Sequence, residues 1–484
     1  MKEVTYYSTN NKSERVNFET ALLNGMASNY GLYMISRSDI PKFSISEIKE
    51  MKEMSYAEIA FKVLSLFLGA EIPQPILKKL LDDAYNPEII PTKIQKVVGK
   101  TSIMWLTNGP TASFKDYAAR FFGRSLNYFL GKKDLKRTVL VATSGDTGGA
   151  VADALFGLDN VKNIVFFPKG EVSEGQRRQM TTLLGNVYAF EVNGDFDVCQ
   201  ALAKNLLGDK IFAEKIFGDK EHFTSANSIS IGRLLPQAVY PFFAYSRVAE
   251  NGEPVIMSIP SGNFGDMMGT VIARKMGLPI AKILCGVNEN TEFPIFLNTG
   301  LYKVDATKKS PSSAMNVSHP SNLARLIDFY GGHMYDERDV KTKKVIREGV
   351  IDKMPDLENM KKEIFAESIS DSAHYETIKK VYEDFGIILD PHGAVGWRIL
   401  DDYFKEHHEH LAVVYETADP GKFPQDVKKA IGIIPPLPKG MQKQANAPER
   451  IYRIESEPDR TLNGIKLSDS QIKEAKEKIA GIFS

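Results

Sequence analysis

Lys115 stands in the stretch 107–124, TNGPTASFKDYAARFFGR, after an apolar run at 103–106 and just ahead of a segment with helical spacing. Asn108, Gly109 and Pro110 break regular structure, and Tyr117, Ala118, Phe121, Phe122 and Leu126 recur as one helical face behind Asp116. The lysine is therefore expected at a strand-to-helix junction, where its side chain can enter a cleft. An amine placed there, once neutral and partly desolvated, can form a Schiff base with an aldehyde cofactor. A lysine ahead of a helix is usually a solvated surface residue. The chemical reading therefore needs an anion cradle and a partner for a ring nitrogen elsewhere in the chain.

Two glycine-rich loops follow apolar runs: 143–149 (TSGDTGG) after 138–142, and 260–269 (PSGNFGDMMG) after 255–259. Glycine at such a junction lets the backbone approach a ligand, and the amides of the helix start point at a bound anion. Neither loop carries GK[ST] or reads GxGxxG, which disfavours a nucleotide. Asn263 and the amides around it suit a cofactor phosphate. The hydroxyls of Thr143, Ser144 and Thr147 suit a carboxylate, while Asp146 would repel an anion unless it turns away or accepts a hydrogen bond from a cofactor hydroxyl. In 416–422 (ETADPGK), Thr417 follows an apolar run and could meet a pyridine nitrogen, leaving it neutral; an ordinary helix cap is the plainer reading.

These junctions need a scaffold of strands that end on one side. Short apolar runs at 138–142, 164–167, 187–192, 255–259, 283–287 and 411–415 alternate with helical segments at 147–156, 198–207 and 266–276. That alternation predicts an α/β fold with open, largely parallel sheets, buried on both faces where the runs are continuously apolar (VLVA, IVFF). Residues 1–95 read as a mainly helical domain, 96–135 with 251–435 as a large cofactor-binding lobe, and 136–250 as a smaller substrate lobe. Residues 305–380 read as helices and loops covering the sheet, and 436–484 as a surface segment ending in a short helix.

Among the 484 residues, 61 Lys and Arg balance 61 Asp and Glu, so no global field favours nucleic acid or a membrane surface. The 341–344 cluster (KTKK) reads as a solvated face. The start of the chain lacks an apolar secretory core, and no run is long enough to span a bilayer, giving a cytoplasmic expectation. Cys199 and Cys285 are far apart and read as reduced core residues. No metal ligand is assigned: EHHEH at 406–410 lacks HExxH spacing and reads as a solvated helix end. His392 reads as a turn or packing residue, and Phe242, Phe243 and Tyr245 as core.

Taken in order, GPTASFKDYAARFFG, TSGDTGGAVADA, SANSISIGRLLPQ, PSGNFGDMMG, PSSAMNVSHPSN and DPHGAVG resemble the threonine synthase family, pyridoxal-phosphate enzymes of fold type II. The resemblance runs from about residue 5 to 425. It implies that Lys115 forms the Schiff base with pyridoxal 5'-phosphate. It also implies that Gly262, Asn263, Phe264, Gly265 and Asp266 receive the cofactor phosphate, and that Thr417 meets the ring nitrogen. Thr143, Ser144, Asp146 and Thr147 correspond to the substrate-carboxylate loop. Ser225, Asn227, Ser228 and Arg233 lie in a motif near the substrate phosphate. The implied reaction is conversion of O-phospho-L-homoserine and water to L-threonine and phosphate. A phospholyase or hydroxyamino-acid dehydratase on the same scaffold is the alternative. Departures from the family pattern are Thr9-Asn10-Asn11 in place of TRG, Asp419 in place of the histidine of TAHP, and Asn316 in place of the aspartate of AMD.

Overall fold

Strand pairing in the computed structural model, which describes residues 4–218, 221–340, 345–461 and 464–483, is dominated by two parallel sheets. The chain divides into two compact units, 1–108 with 228–436, and 109–227 with 437–484.

The first unit is built on a six-stranded sheet in the order Ile364–Ser368, Ile280–Val287, Val255–Pro260, Leu411–Glu416, Thr101–Trp105, Lys93–Val98. All neighbours are parallel except the last pair. Ile256, Leu284, Val395, Ile399, Ala412 and Val414 form one buried cluster between the sheet and helix Pro391–Glu406. That helix starts where it does because Pro391 presets the first turn and the Asp390 carboxylate accepts from the His392 and Gly393 amides at 2.9 and 3.0 Å.

The expected helices near the start are present at Phe18–Asn24, Ile45–Lys49 and Tyr56–Leu68, the last opened by a capping box between Ser55 and Glu58. They are accompanied by a three-stranded antiparallel sheet, Asn11–Val16, Tyr6–Ser8 and Tyr33–Ile35. Its middle strand is only three residues long, too short for alternation to reveal. Between 305 and 380 the structure likewise adds strands: Ile364–Ser368 extends the large sheet, and His333–Arg338 pairs with Val345–Lys353. The 341–344 cluster lies outside the described residues.

The second unit holds a five-stranded, all-parallel sheet ordered Ile451–Ile454, Val187–Val192, Val161–Pro168, Lys136–Ala142, Glu221–Ser225. Helices Lys115–Lys133, Asp146–Leu155, Phe196–Gly208 and Asp469–Phe483 belong to it. Unit boundaries differ from those read in the sequence. Residues 109–135 group with this sheet, and 228–250 with the larger one. The segment after 436 is more than surface chain: Ile451–Ile454 completes the sheet edge, and Ala475 and Ile479 bury against Phe190, Leu202 and Ile454. A four-residue strand whose partner lies some 260 residues upstream leaves no local periodicity to read.

Candidate active site

In the second unit, Lys115 is the first residue of the Lys115–Lys133 helix, and its ammonium lies 4.6 Å from the Phe114 ring centroid. The loop before it is fixed from within. Asp116 turns back, accepting from the Thr111 amide at 2.9 Å and its hydroxyl at 2.5 Å, while Gln179 donates to the Thr111 carbonyl at 3.0 Å. Gly109 is required here, because a Cβ would collide with the Asp116 carboxylate. The lysine Nζ lies 3.7 Å from Asp146 Oδ2, and the other Asp146 oxygen accepts from Gln176 Nε2 at 2.9 Å. Asp146 thus turns to the lysine.

The Asp146 loop leaves the carboxyl end of Lys136–Ala142, the edge where ligands of open α/β sheets bind. Thr143 is buried, and its hydroxyl accepts the Gly145 and Gly148 amides, both at 2.9 Å. It shapes the loop; Ser144 is exposed and Thr147 half-buried. Ser225 ends the neighbouring parallel strand at the same edge, and its hydroxyl accepts the Asn227 amide at 3.2 Å.

In the first unit the loop between Val255–Pro260 and helix Gly265–Lys275 forms a backbone cradle. A Cβ on Gly262 would stand 2.8 Å from the Ala314 carbonyl oxygen, and Phe264 enters the helix with φ 61°. Glycine leaves the left-handed turn and its amides uncovered at the helix start. The Phe264 ring packs edge-on to Phe293, 4.9 Å between centroids, so this residue can offer a ligand only its backbone. Asp266 is buried, with one oxygen accepting from the Met267 amide at 2.9 Å. Gly265 and Gly269 have a second reason to be glycine: Gln237 packs against both. Asn263 is exposed, and its side-chain oxygen accepts from Ser321. Ser228 meets the same Ser321 hydroxyl at 3.1 Å.

Thr417 is buried one residue past Leu411–Glu416, at the carboxyl edge that also carries the 261–264 loop. Arg233 is buried in the short turn Ile231–Leu234, and its carbonyl accepts from Gln237. The three departures from the family pattern have local work. Thr9 accepts from the Leu32 amide, Asp419 caps the turn Pro420–Lys422, and Asn316 ties Asn288 to Ser310. His392 is buried, with Nε2 accepting from the Ala314 amide at 3.1 Å and Nδ1 against Asp390. Sequence reading missed Gln176, Ser321 and Arg325; the first and last act on groups 30 and 292 positions away.

A lysine at a helix start, a glycine cradle at a second helix start, and parallel sheets ending in both are the parts of a fold-type II pyridoxal-phosphate enzyme. Residues 104–350 match the family described as pyridoxal-phosphate dependent enzyme, while 5–85 match the threonine synthase N terminus and 393–463 the threonine synthase C-terminal region. The chain is 33% identical to threonine synthase of Escherichia coli K12, covering 91% of this chain and 94% of that one. It is 34% identical to the Pseudomonas aeruginosa threonine synthase, covering 93% and 96%. Among solved structures, the pyridoxal-phosphate-bound threonine synthase from Brucella melitensis superposes with a TM-score of 0.86 at 29% identity, covering 99% and 100%; the yeast enzyme gives 0.84 at 28%, covering 99% of each chain. The chain belongs to the threonine synthase family.

Proposed function

We propose that this chain converts O-phospho-L-homoserine and water to L-threonine and inorganic phosphate, in the cytoplasm, as the threonine-forming step of amino-acid biosynthesis. The reading is carried by the Lys115 amine held beside a buried carboxylate, in a chain related to threonine synthases along nine-tenths of its length. No helix among the described residues is long and apolar enough to cross a membrane.

The cradle fits the phosphate of pyridoxal phosphate, because a Cβ is excluded at Gly262 and backbone amides open at the start of an eleven-residue helix. Gly262, Asn263, Phe264, Gly265 and Asp266 would hold that phosphate, Thr417 the ring nitrogen, and Lys115 the aldehyde carbon. When bound, the cofactor supplies an electron sink for negative charge developing beside the substrate amine.

With the cofactor in place, the Lys115 amine would serve as the base that takes the substrate Cα proton and returns protons nearby. Asp146 holds the lysine's ammonium in place, a role that replaces the substrate-carboxylate contact implied by the resemblance. Ser144, Thr147 and the amides shaped by Thr143 receive the substrate carboxylate. Ser225, Asn227, Ser228 and Arg233 receive the substrate phosphate, where donors count most as that group departs.

Incubating the protein, loaded with pyridoxal phosphate, with O-phospho-L-homoserine should release threonine and phosphate in equal amounts. Release of 2-oxobutyrate and ammonia instead would establish the lyase alternative. Lys115→Ala should lose both turnover and the borohydride-reducible cofactor adduct.

A further inference from the structure

Arg325, in helix Leu323–Phe329, is fully buried and has only neutral oxygens for company. Its Nε donates to the Tyr33 carbonyl at 3.0 Å, Nη1 to Asn322 Oδ1 at 2.6 Å and the Ser228 carbonyl at 3.3 Å, and Nη2 to the Ile229 carbonyl at 2.5 Å. Among the described residues it makes no ion pair. Burial alone, unopposed by any neighbouring charge, pushes its pKa down to about 9. A guanidinium is almost never taken fully out of water without an anion to meet it.

The atoms around this cation bound the proposed phosphate cradle. Asn322 Nδ2, on the residue that accepts from Arg325, donates to the Asn263 carbonyl at 2.9 Å. Asn263 Oδ1 accepts from Ser321, whose hydroxyl meets Ser228. The peptide planes that turn the Ser228 and Ile229 carbonyls onto Arg325 are trans, so their N–H groups point the other way. One residue further, the fully buried Ser230 hydroxyl has no hydrogen-bond partner among the described residues.

We infer that Arg325 is the buried countercharge of a phosphate-monoester site on the Asn263–Ser321–Ser228 rim. It is a positioning residue: it touches no ligand, orients Asn322 and the 228–230 peptides, and supplies the positive field that favours a dianion there. The inference rests on reading the 261–264 loop as a phosphate cradle, and deepens that reading. The phosphate can be the cofactor's or the substrate's.

Arg325→Gln and Arg325→Lys separate charge from bracing, with Arg325→Met replacing the first should it not fold by circular dichroism. Cofactor-free protein is titrated with pyridoxal phosphate and with pyridoxal, and saturated protein is assayed for the KM of O-phospho-L-homoserine. R325Q should weaken pyridoxal phosphate, or raise that KM, at least tenfold with pyridoxal binding unchanged; which of the two moves names the source of the phosphate. R325K should stay within threefold of wild type. Wild-type values for both ligands in R325Q, an equal loss for pyridoxal, or an equal loss in R325K would each overturn the inference. Wild-type protein that binds no pyridoxal phosphate would overturn the cradle reading itself, and this inference with it.

Discussion

Lys115 Nζ stands 3.7 Å from Asp146 Oδ2, and Gln176 holds the opposite oxygen of that carboxylate at 2.9 Å. The pair is nearly dry, with 14% of the lysine side chain and 1% of the aspartate exposed, so the separation is screened little by solvent. Asp146→Asn keeps the shape and the Gln176 neighbour but removes the charge that holds the amine. Turnover should fall about 10- to 100-fold, with the cofactor adduct still forming. Gln176→Leu leaves one carboxylate oxygen without its donor and should cost about 1–3 kcal/mol of stability, read by urea denaturation.

Gly262→Ala tests the cradle from the other unit. The added methyl would stand 2.8 Å from the Ala314 carbonyl oxygen and 3.1 Å from the Met315 Cα, both backbone atoms that cannot swing aside. The loop must shift, which disturbs the amides that receive the phosphate. Pyridoxal-phosphate affinity should drop by about tenfold or more, equivalent to about 1.4 kcal/mol, measured by fluorescence titration of the cofactor-free variant. Unchanged affinity would remove this loop from cofactor binding.

Central strands and their glycine loops were legible because each is a local signal: a continuous apolar run, then breakers, then helical spacing. Val255–Pro260 and Lys136–Ala142 are the plainest cases. The shortest strands were not. Tyr6–Ser8 and Ile451–Ile454 are short, and what makes them strands is a partner elsewhere in the chain. The same limit separates the site residues. Lys115 and the Gly262 loop announce themselves by type and setting, whereas Gln176 and Arg325 are ordinary helical residues until folding brings Asp146 and the Ser228 carbonyl to them.

The C-terminal helix Asp469–Phe483 gives the fold a specific acid sensitivity. Glu474 accepts from the Ser456 amide at 2.9 Å and the Glu455 amide at 3.1 Å and pairs with Lys478 at 3.0 Å. Burial raises its pKa, but these donors prevail and hold the carboxyl down to about 2. Its folded pKa is therefore below the unfolded value. The stabilisation is fully present above about pH 4.5 and is lost as pH falls toward about 2. At pH 7 Glu474→Gln should cost up to about 3 kcal/mol, and the difference from wild type should shrink steadily in urea melts between pH 4.5 and 3. A gap that stays constant with pH would show that the amide hydrogen bonds, not the charge, hold the helix.

His392 links the start of helix Pro391–Glu406 to the loop that backs Gly262. Its Nε2 accepts the Ala314 N–H, so the ring proton sits on Nδ1, which donates to Asp390. Behind it, the Asp390 amide donates to buried Glu416 at 2.7 Å, and burial with the Asp390 charge beside it pushes the Glu416 carboxyl well above the usual carboxylate range. The chain of contacts runs from the residue before Thr417 to the carbonyl pressed on Gly262. His392→Asn separates its two ends: the shorter amide can still donate to Asp390 but cannot reach Ala314. That variant should lose about 1–3 kcal/mol for the stranded amide and bind pyridoxal phosphate several-fold more weakly. His392→Phe, which also deprives Asp390 of its donor, should be less stable again in the same urea melts while weakening the cofactor to a similar degree. If H392N instead binds the cofactor like wild type and only H392F fails, the histidine serves the helix cap alone, and the 312–316 loop is held against Gly262 by its own packing.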